Sequence, residues 1–550
     1  MPSSLLRSWT RNQLRLPLAF AAVLTAWCVI GLVVAPAVLA RVEPGTALAR
    51  ALAGVRESWW DGAVILFVLA LVVPGMRALR TEHLARFVEP VRPAVLGAIR
   101  AWIALILLAQ VLWEDLPSSA YLPRAMLDLR RHWLVGLLHD VPGFDGFLAS
   151  HGALQAYEVI TIILLVMAMV GLFTRWTVPA AAVAYLLFAH ILRSYAWSYH
   201  MGLVPLHALL VLSLTPCGDG FSLDRRLRER RGQPVAPAEP RLRYGVGRFL
   251  VWMAVALPYT MAGFSKIRKG GLGWWQGEHM KQMLVATVVE PMQFDFRLTY
   301  AALQWPGWMW DVLGFAALAG EVTFVLVLVH RLARMLLPLV MAGMHVGILF
   351  MQNILFPDLI AIQAIFYDWT PLRKRLTARW ARLRDASTAA TRTAATAVGD
   401  EGDRVFRRQA MVARVLLGMA FVVWATRTEK FPLSAMQMFS SRLALEPVEF
   451  VRPCAVYADG SRAPARFEHW IGAMRDSRYR RIITDWDRRP ERLPALREFL
   501  DRAAARANAD APHAHRIRRF ELERRVWDFR AHPDEPDGTL VQLLTHDVRP

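Results

Sequence analysis

The chain is 550 residues long, 55% hydrophobic, with 21 Trp and a formal net charge of +20. An apolar fraction this high, gathered into long uncharged runs, excludes an ordinary soluble protein and describes a polytopic membrane protein. Cys28, Cys217 and Cys454 lie in unrelated settings, which gives neither a disulfide framework nor a metal site, and no nucleic-acid partner is needed to explain the positive charge, because arginines between apolar runs retain loops in the cytoplasm.

The first apolar run, Leu16 to Ala40, follows Arg7, Arg11 and Arg15. It is longer than a signal-peptide core of about 7 to 15 residues, so it reads as a retained anchor. Crossing the ~30 Å hydrocarbon layer takes about 20 apolar residues. Eleven windows are candidates: Leu16 to Ala40, Trp59 to Met76, Ala94 to Trp113, Ala153 to Thr174, Trp176 to Leu192, His200 to Pro216, Phe249 to Ser265, Trp308 to Val329, Met335 to Gln352, Ile354 to Tyr367 and Met411 to Thr426. The second, tenth and eleventh are short.

With a cytoplasmic amino terminus, alternate connections should be rich in arginine. Arg77, Arg80 and Arg86 follow the second window, Arg175 the fourth, the run from Arg225 to Arg243 the sixth, Arg331 and Arg334 the eighth, and Arg373, Lys374 and Arg375 the tenth. Eleven crossings leave the tail outside, and a bacterial inner membrane suits this charge distribution. Between the third and fourth windows, Tyr121 to Leu138 carries Arg124, Arg130, Arg131 and His132 at helical spacing, as in a helix lying on the membrane surface or against the bundle. Thr377 to Arg408, rich in Ala, Thr and Arg, reads as a cytoplasmic linker.

From Phe439 hydropathy falls. Val448 to Tyr457 reads as a strand, placed at an edge by Pro453; Pro490 to Ala507 reads as a helix and Ile517 to Phe529 as a strand. The expected architecture is an all-α polytopic membrane helix bundle with a small C-terminal α+β extramembrane domain. Its divisions fall at 1–92 (a helix pair), 93–375 (the main bundle), 376–410 (linker), 411–438 (last helix and junction) and 439–550 (the outer domain).

Several polar residues stand at membrane depth. Of 65 Lys plus Arg only five are Lys, and Lys266, Lys269 and Lys281 cluster at and just after the end of the seventh window. Unlike a guanidinium, an amine can lose its proton when buried, so lysine here admits chemistry. The plainer reading is a lysine that meets the last carbonyls of its helix and snorkels to the interface, with Trp274 and Trp275 in the aromatic belt. Glu321 lies near the middle of its window, where ionisable groups are costly and face the bundle interior. His345 on the next window is its candidate partner. His200 and His207, seven apart, share a helix face. Asp219 and Asp224 read as acidic residues of a helix-ending turn.

Ser198-Tyr-His200, Thr215-Pro-Cys-Gly-Asp219-Gly-Phe-Ser222-Leu-Asp224, Tyr259-x-x-Ala262-Gly263-x-x-Lys266 with Trp274 and Gly277, then Glu321 and His345, form an ordered set. Together they resemble the HTTM (horizontally transferred transmembrane) domain family, related to the membrane domain of vitamin K-dependent gamma-glutamyl carboxylase. The resemblance spans roughly Arg92 to Arg375, and Phe431-Pro-Leu-Ser434 to Met438-Phe-Ser440 is similar to a junction in bacterial members. It implies an enzyme that oxidises reduced vitamin K or another quinol with O2. The strong base so formed takes the γ-proton of a glutamate in a peptide or protein substrate, and CO2 adds to the carbanion.

On that resemblance Lys266 matches the lysine that deprotonates the quinol, made neutral by desolvation and by nearby Arg268 and Lys269. His200 matches a histidine that orients the same chemistry, and Trp274, Glu321 and His345 surround the cofactor. The tail from Phe439 is much shorter than the lumenal part of the animal carboxylase, so the same peptide-docking surface is not expected. Two other classes remain open: a lipid- or quinone-binding or transport protein without turnover, suggested by Glu321 and His345, and a scaffold whose arginine-rich outer domain recruits an acidic partner.

Overall fold

The computed structural model describes residues 11–42, 46–129, 132–195, 200–289, 294, 296–369, 401–441 and 446–548. Among them nine helices are long and apolar enough to cross a membrane. They are α1 (Ala19–Leu39), α2 (Ala47–Ala78), α3 (Pro93–Trp113), α4 (His151–Val170), α5 (Thr174–Tyr195), α8 (Leu242–Gly270), α10 (Gly307–Leu328), α11 (Arg331–Gln352) and α13, whose apolar part is Val405–Ala425. Local chemistry sets several ends: Thr46 and Ser150 accept N–H groups of the first turns of α2 and α4, Pro93 opens α3, and Gly171 and Gly271, both at positive φ, close α4 and α8. The second window, short in hydropathy, lies inside the 32-residue α2.

Two expected windows are not full helical spans. His200 to Pro216 holds only α6 (Leu203–Leu212) and Ile354 to Tyr367 only α12 (Pro357–Phe366). Ten residues of α-helix cover about 15 Å, half of the hydrocarbon layer. Both start after a left-handed residue, Gly202 at φ 72 and, a few positions ahead of α12, Asn353 at φ 57. The two half-helices meet where the Gly202 N–H donates to Asp358 Oδ2 at 2.6 Å. Irregular backbone at such depth is tolerated because protein surrounds it: Gly202, Asn353 and Asp358 are all buried.

Helix α8 is the hub, with 83% of its apolar window inside the bundle against 11% for α1. Four of the five arginine-rich connections collect on one face, and the fifth, Arg373 to Arg375, lies outside the described residues. On that face Arg100 of α3 donates to the Cys217 and Phe221 carbonyls at 2.9 and 2.7 Å, Asp224 binds the turn between α4 and α5, and Val91 bridges to Arg241. The stretch from His200 to Cys217 therefore still connects opposite faces.

The expected helix at Tyr121 to Leu138 is instead two 3-10 turns, Pro117–Tyr121 and Arg124–Met126, followed by the short helix Trp133–His139, because Pro123 interrupts it; Arg130 and Arg131 lie outside the described residues. Most of the expected linker also lies outside them. Its last residues are helical, since α13 runs Glu401–Ala425.

After α13 a hairpin of β1 (Glu429–Lys430) and β2 (Leu433–Ser434) leads to the outer domain. That domain is a four-stranded antiparallel sheet in the order β4 (Arg462–Pro464), β3 (Val448–Tyr457), β5 (Ile517–Trp527), β6 (Thr539–Asp547), packed on α14 (Asp476–Asp487) and α15 (Leu493–Asn508). Phe467, Tyr479, Phe499 and Phe520 form its aromatic core. Contrary to expectation β3 is interior. Pro453 is tolerated because it stands at the last step of the β4 pairing, where its carbonyl still accepts the Ala465 N–H at 2.9 Å and only its own donor is missing. The domain rests on the bundle through a cluster of Val448, Phe450, Trp527 and Phe529 against Val285 and Tyr300, and through the Ala473 N–H on Asp115.

Candidate functional site

Lys266 stands in the last turns of α8. One turn before it, a Cβ on Gly263 would lie 2.8 Å from the Val322 backbone nitrogen and 3.1 Å from Glu321 Cβ, so only glycine lets α8 and α10 approach this closely. That approach puts the two charged side chains in contact: Lys266 Nζ is 2.9 Å from Glu321 Oε1 and 2.7 Å from Oε2. Both residues are buried, 6% exposed each. An unpaired ion there would cost several kcal/mol, about 3–5 when one partner is removed.

Gly270 performs the same service for Trp274, whose ring a Cβ would meet at 2.5 Å. The Trp274 ring lies 5.3 Å from Lys266 Nζ, and its Nε1–H donates to the Phe439 carbonyl at 2.8 Å. Met280 and Met283 of α9 (Gly277–Val288) and Trp310 of α10 pack behind it, and His279 sits edge-on at 5.6 Å. The motif Ala262-Gly263-x-x-Lys266 with Trp274 is thus a close helix contact, an ion pair and an aromatic plate above the amine.

The expected pairing of Glu321 with His345 is not formed, because Gly263 brings Lys266 to Glu321 first. His345 Nε2 instead contacts the Tyr259 hydroxyl at 2.9 Å, and Gln363 Nε2–H donates to the same hydroxyl at 2.9 Å. Tyr259 precedes Lys266 by two helical turns, about 10 Å deeper on the same face of α8. Arg268 does not crowd the amine as expected. It forms a two-pronged pair with Asp61 of α2 and donates to the Trp424 and Ala425 carbonyls of α13.

His200 faces the β1–β2 hairpin. Its Nε2 is 2.9 Å from Ser434 Oγ, and Ser434 donates on to Glu429 Oε2 at 2.8 Å. His207 donates from Nε2 to the Pro432 carbonyl at 2.8 Å, so the shared face of the two histidines is the one that grips the hairpin. Phe431 is held on three sides, by the Trp133 indole N–H on its carbonyl and by His190 and Arg193 at its ring, each at 4.7 Å. Ser265, next to Lys266, donates to the Ala435 carbonyl at 2.8 Å. The hairpin therefore ties His200 to the end of α8 that carries Lys266.

Burial pushes the Glu429 carboxyl up, but hydrogen bonding to His200 and Ser434, the charge of His200 and the Gln437 N–H outweigh it and hold the group below its ordinary value. Sequence reasoning did not single out Glu429, Asp61 or Gln363. Asp61 was detectable as an isolated acid in an apolar run. Ser434 lies in the junction from Phe431 to Ser440, where spacing gives it no role, and nothing local marks Gln363.

Two cavities lie elsewhere. One of about 330 Å³ separates Trp113, Glu114 and Asp115 from Glu468 and Arg475 of the outer domain and reaches Met201 beside His200. The other, about 320 Å³, opens on the arginine-rich face beside Arg175, Arg228 and Arg231. Neither is lined by Lys266. A family model described as HTTM domain matches residues 88–369, just over half of the chain, and includes Lys266, His200, Trp274, Glu321 and His345. No curated protein and no solved structure matches the chain.

Proposed function

The chain belongs to the HTTM domain family and is an integral membrane protein, and on that premise we propose that it is a quinol- and O2-dependent carboxylase of peptide glutamate. One observation carries the reading. A buried amine, Lys266, lies within 2.7 Å of a buried carboxylate and under an aromatic ring, at the end of the span nearest the outer domain.

The pair supplies a base without moving net charge. A proton passed along the contact from Lys266 to Glu321 leaves a free amine and a carboxylic acid, so the site stays neutral overall, as a low-dielectric setting requires. Trp274 favours the ammonium when the proton returns, through its ring face. His200 is positioned by Ser434 at Nε2, while its buried Nδ1 has no hydrogen-bond partner among the described residues. Reduced vitamin K or another quinol, when bound, supplies the electrons for O2 and with them the strong base for the γ-proton of glutamate, to which CO2 adds. Trp274, Met280, Met283 and Trp310 pack as an apolar cluster beside the amine, which a quinol ring would have to part to reach Lys266, and Tyr259 and His345 place polar atoms deeper in the bundle.

On the same reading the arginine-rich face is cytoplasmic and the outer domain extracytoplasmic, in a bacterial inner membrane, with the peptide arriving from the outer face. Purified protein given reduced vitamin K, labelled bicarbonate and a glutamate peptide is expected to fix label, and Lys266→Ala to fix at least about a hundredfold less. Fixation unchanged in Lys266→Ala, or none across quinols and peptides, overturns the reading. The full pairing of Lys266 with Glu321 favours one alternative, a lipid- or quinone-binding protein without turnover. There, retention of the bound molecule depends on Glu321 and survives Lys266→Ala.

A further inference from the structure

Asp224 anchors an arginine-bearing helix to the end of a membrane span. Its Oδ1 accepts the Phe173 N–H at 2.7 Å and its Oδ2 the Thr174 N–H at 2.8 Å, with the Thr174 hydroxyl as a further donor. Ser222 caps the helix α7 (Leu223–Arg230) by accepting the Arg225 N–H at 3.1 Å. Residues 224, 227, 228 and 231 follow the helical repeat, so the docking of Asp224 turns Leu227, Arg228 and Arg231 toward Arg175 and Trp176 at the start of α5. Together with Phe173 and Thr174 they line the open cavity of about 320 Å³.

Three guanidinium groups border this space, and none of them forms an ion pair among the described residues. The one carboxylate present, Asp224, spends its oxygens on backbone N–H groups and the Thr174 hydroxyl. Beside the cations, apolar side chains stand in the open: Trp176 is 71% exposed, Phe173 60% and the neighbouring Phe221 59%. Aromatic rings exposed at the end of a span lie at the boundary between acyl chains and headgroups, which sets the adjacent guanidinium forks at phosphate depth.

We propose that this pocket binds the phosphate of an anionic phospholipid headgroup, in the leaflet on the arginine-rich side. The aromatic rim receives the glycerol and upper acyl chains, and Arg175, Arg228 and Arg231 receive the phosphate oxygens. The site lies on the face opposite Lys266 and stands whether or not the chain is a carboxylase.

The test titrates the full chain in neutral detergent with dioleoyl phosphatidylglycerol, dioleoyl phosphatidylcholine or sodium phosphate, reading bound lipid by native mass spectrometry and protection by melting temperature. Phosphatidylglycerol is expected to bind more tightly than phosphatidylcholine. Arg228→Gln/Arg231→Gln should weaken it about thirty-fold, while Arg226→Gln/Arg230→Gln, with the same charge loss on the exposed side of α7, keeps it. Should the first pair fail to fold, Arg175→Gln alone is expected to weaken binding about fivefold. Equal affinity for the two lipids, equal loss in both double variants, or no loss in Arg175→Gln overturns the site. Protection by sodium phosphate matching that by the lipid overturns the lipid as its source.

Discussion

Lys266 and Glu321 cannot be judged singly. Deleting either leaves a charge stranded in a dry helix contact, whereas replacing both with apolar groups of similar size removes the electrostatic problem. Lys266→Met and Glu321→Leu are each expected to lower unfolding free energy by about 3–5 kcal/mol, and the double variant to lie within about 1 kcal/mol of wild type. Denaturant unfolding in detergent checks this; a double variant whose loss equals the sum of the singles would show that the side chains are not coupled. Both residues were legible in the sequence as polar outliers in apolar runs. Their partnership was not, because it joins positions 55 apart through Gly263, whose meaning appears only when α10 lies against it. Assigning His345 to Glu321 failed because Lys266 takes the carboxylate, while His345 turns its Nε2 to the Tyr259 hydroxyl.

At the scale of elements, the hairpin from Glu429 to Ser434 joins His200, His207 and the end of α8. Its carboxyl stands below the ordinary 4.5 in the folded chain. A depressed folded value means that Glu429 stabilises the hairpin fully above about pH 4.5 and progressively less as pH falls through the lowered value. Hydrogen-exchange protection of the Ala435, Met436 and Gln437 amides should therefore decline on the acid side of pH 4.5 in the native chain. Glu429→Gln should lack that step, and an identical decline in both proteins would contradict the assignment. Hydropathy located this junction but not its shape, since Ser434 and Glu429 act across a turn. The same blindness affected α6 and α12, where Gly202 and Asn353 start half-helices inside runs that look continuous. It also undercounted α2, where Arg56, Glu57 and Asp61 interrupt the apolar run without breaking the helix.

For the whole molecule, the alternation of arginine-rich connections groups loops that the fold brings together: Arg175 and Arg228 border one cavity beside Asp224, and Arg241 bridges to Val91. The helical bundle and the α+β outer domain were legible because periodicity and polarity report local environment. The outer domain's seat on Val285, Tyr300 and Asp115 was not, since that contact joins distant parts of the chain. Its junction also bears on the site, because Phe439 holds the Trp274 indole over Lys266. The central claim is that this sheltered amine starts quinol oxidation, and O2 uptake on adding reduced vitamin K to the purified chain, without peptide, tests it most directly. Uptake above the protein-free rate is expected from the native chain and about a hundredfold less from folded Lys266→Met; equal uptake by the two proteins would contradict it.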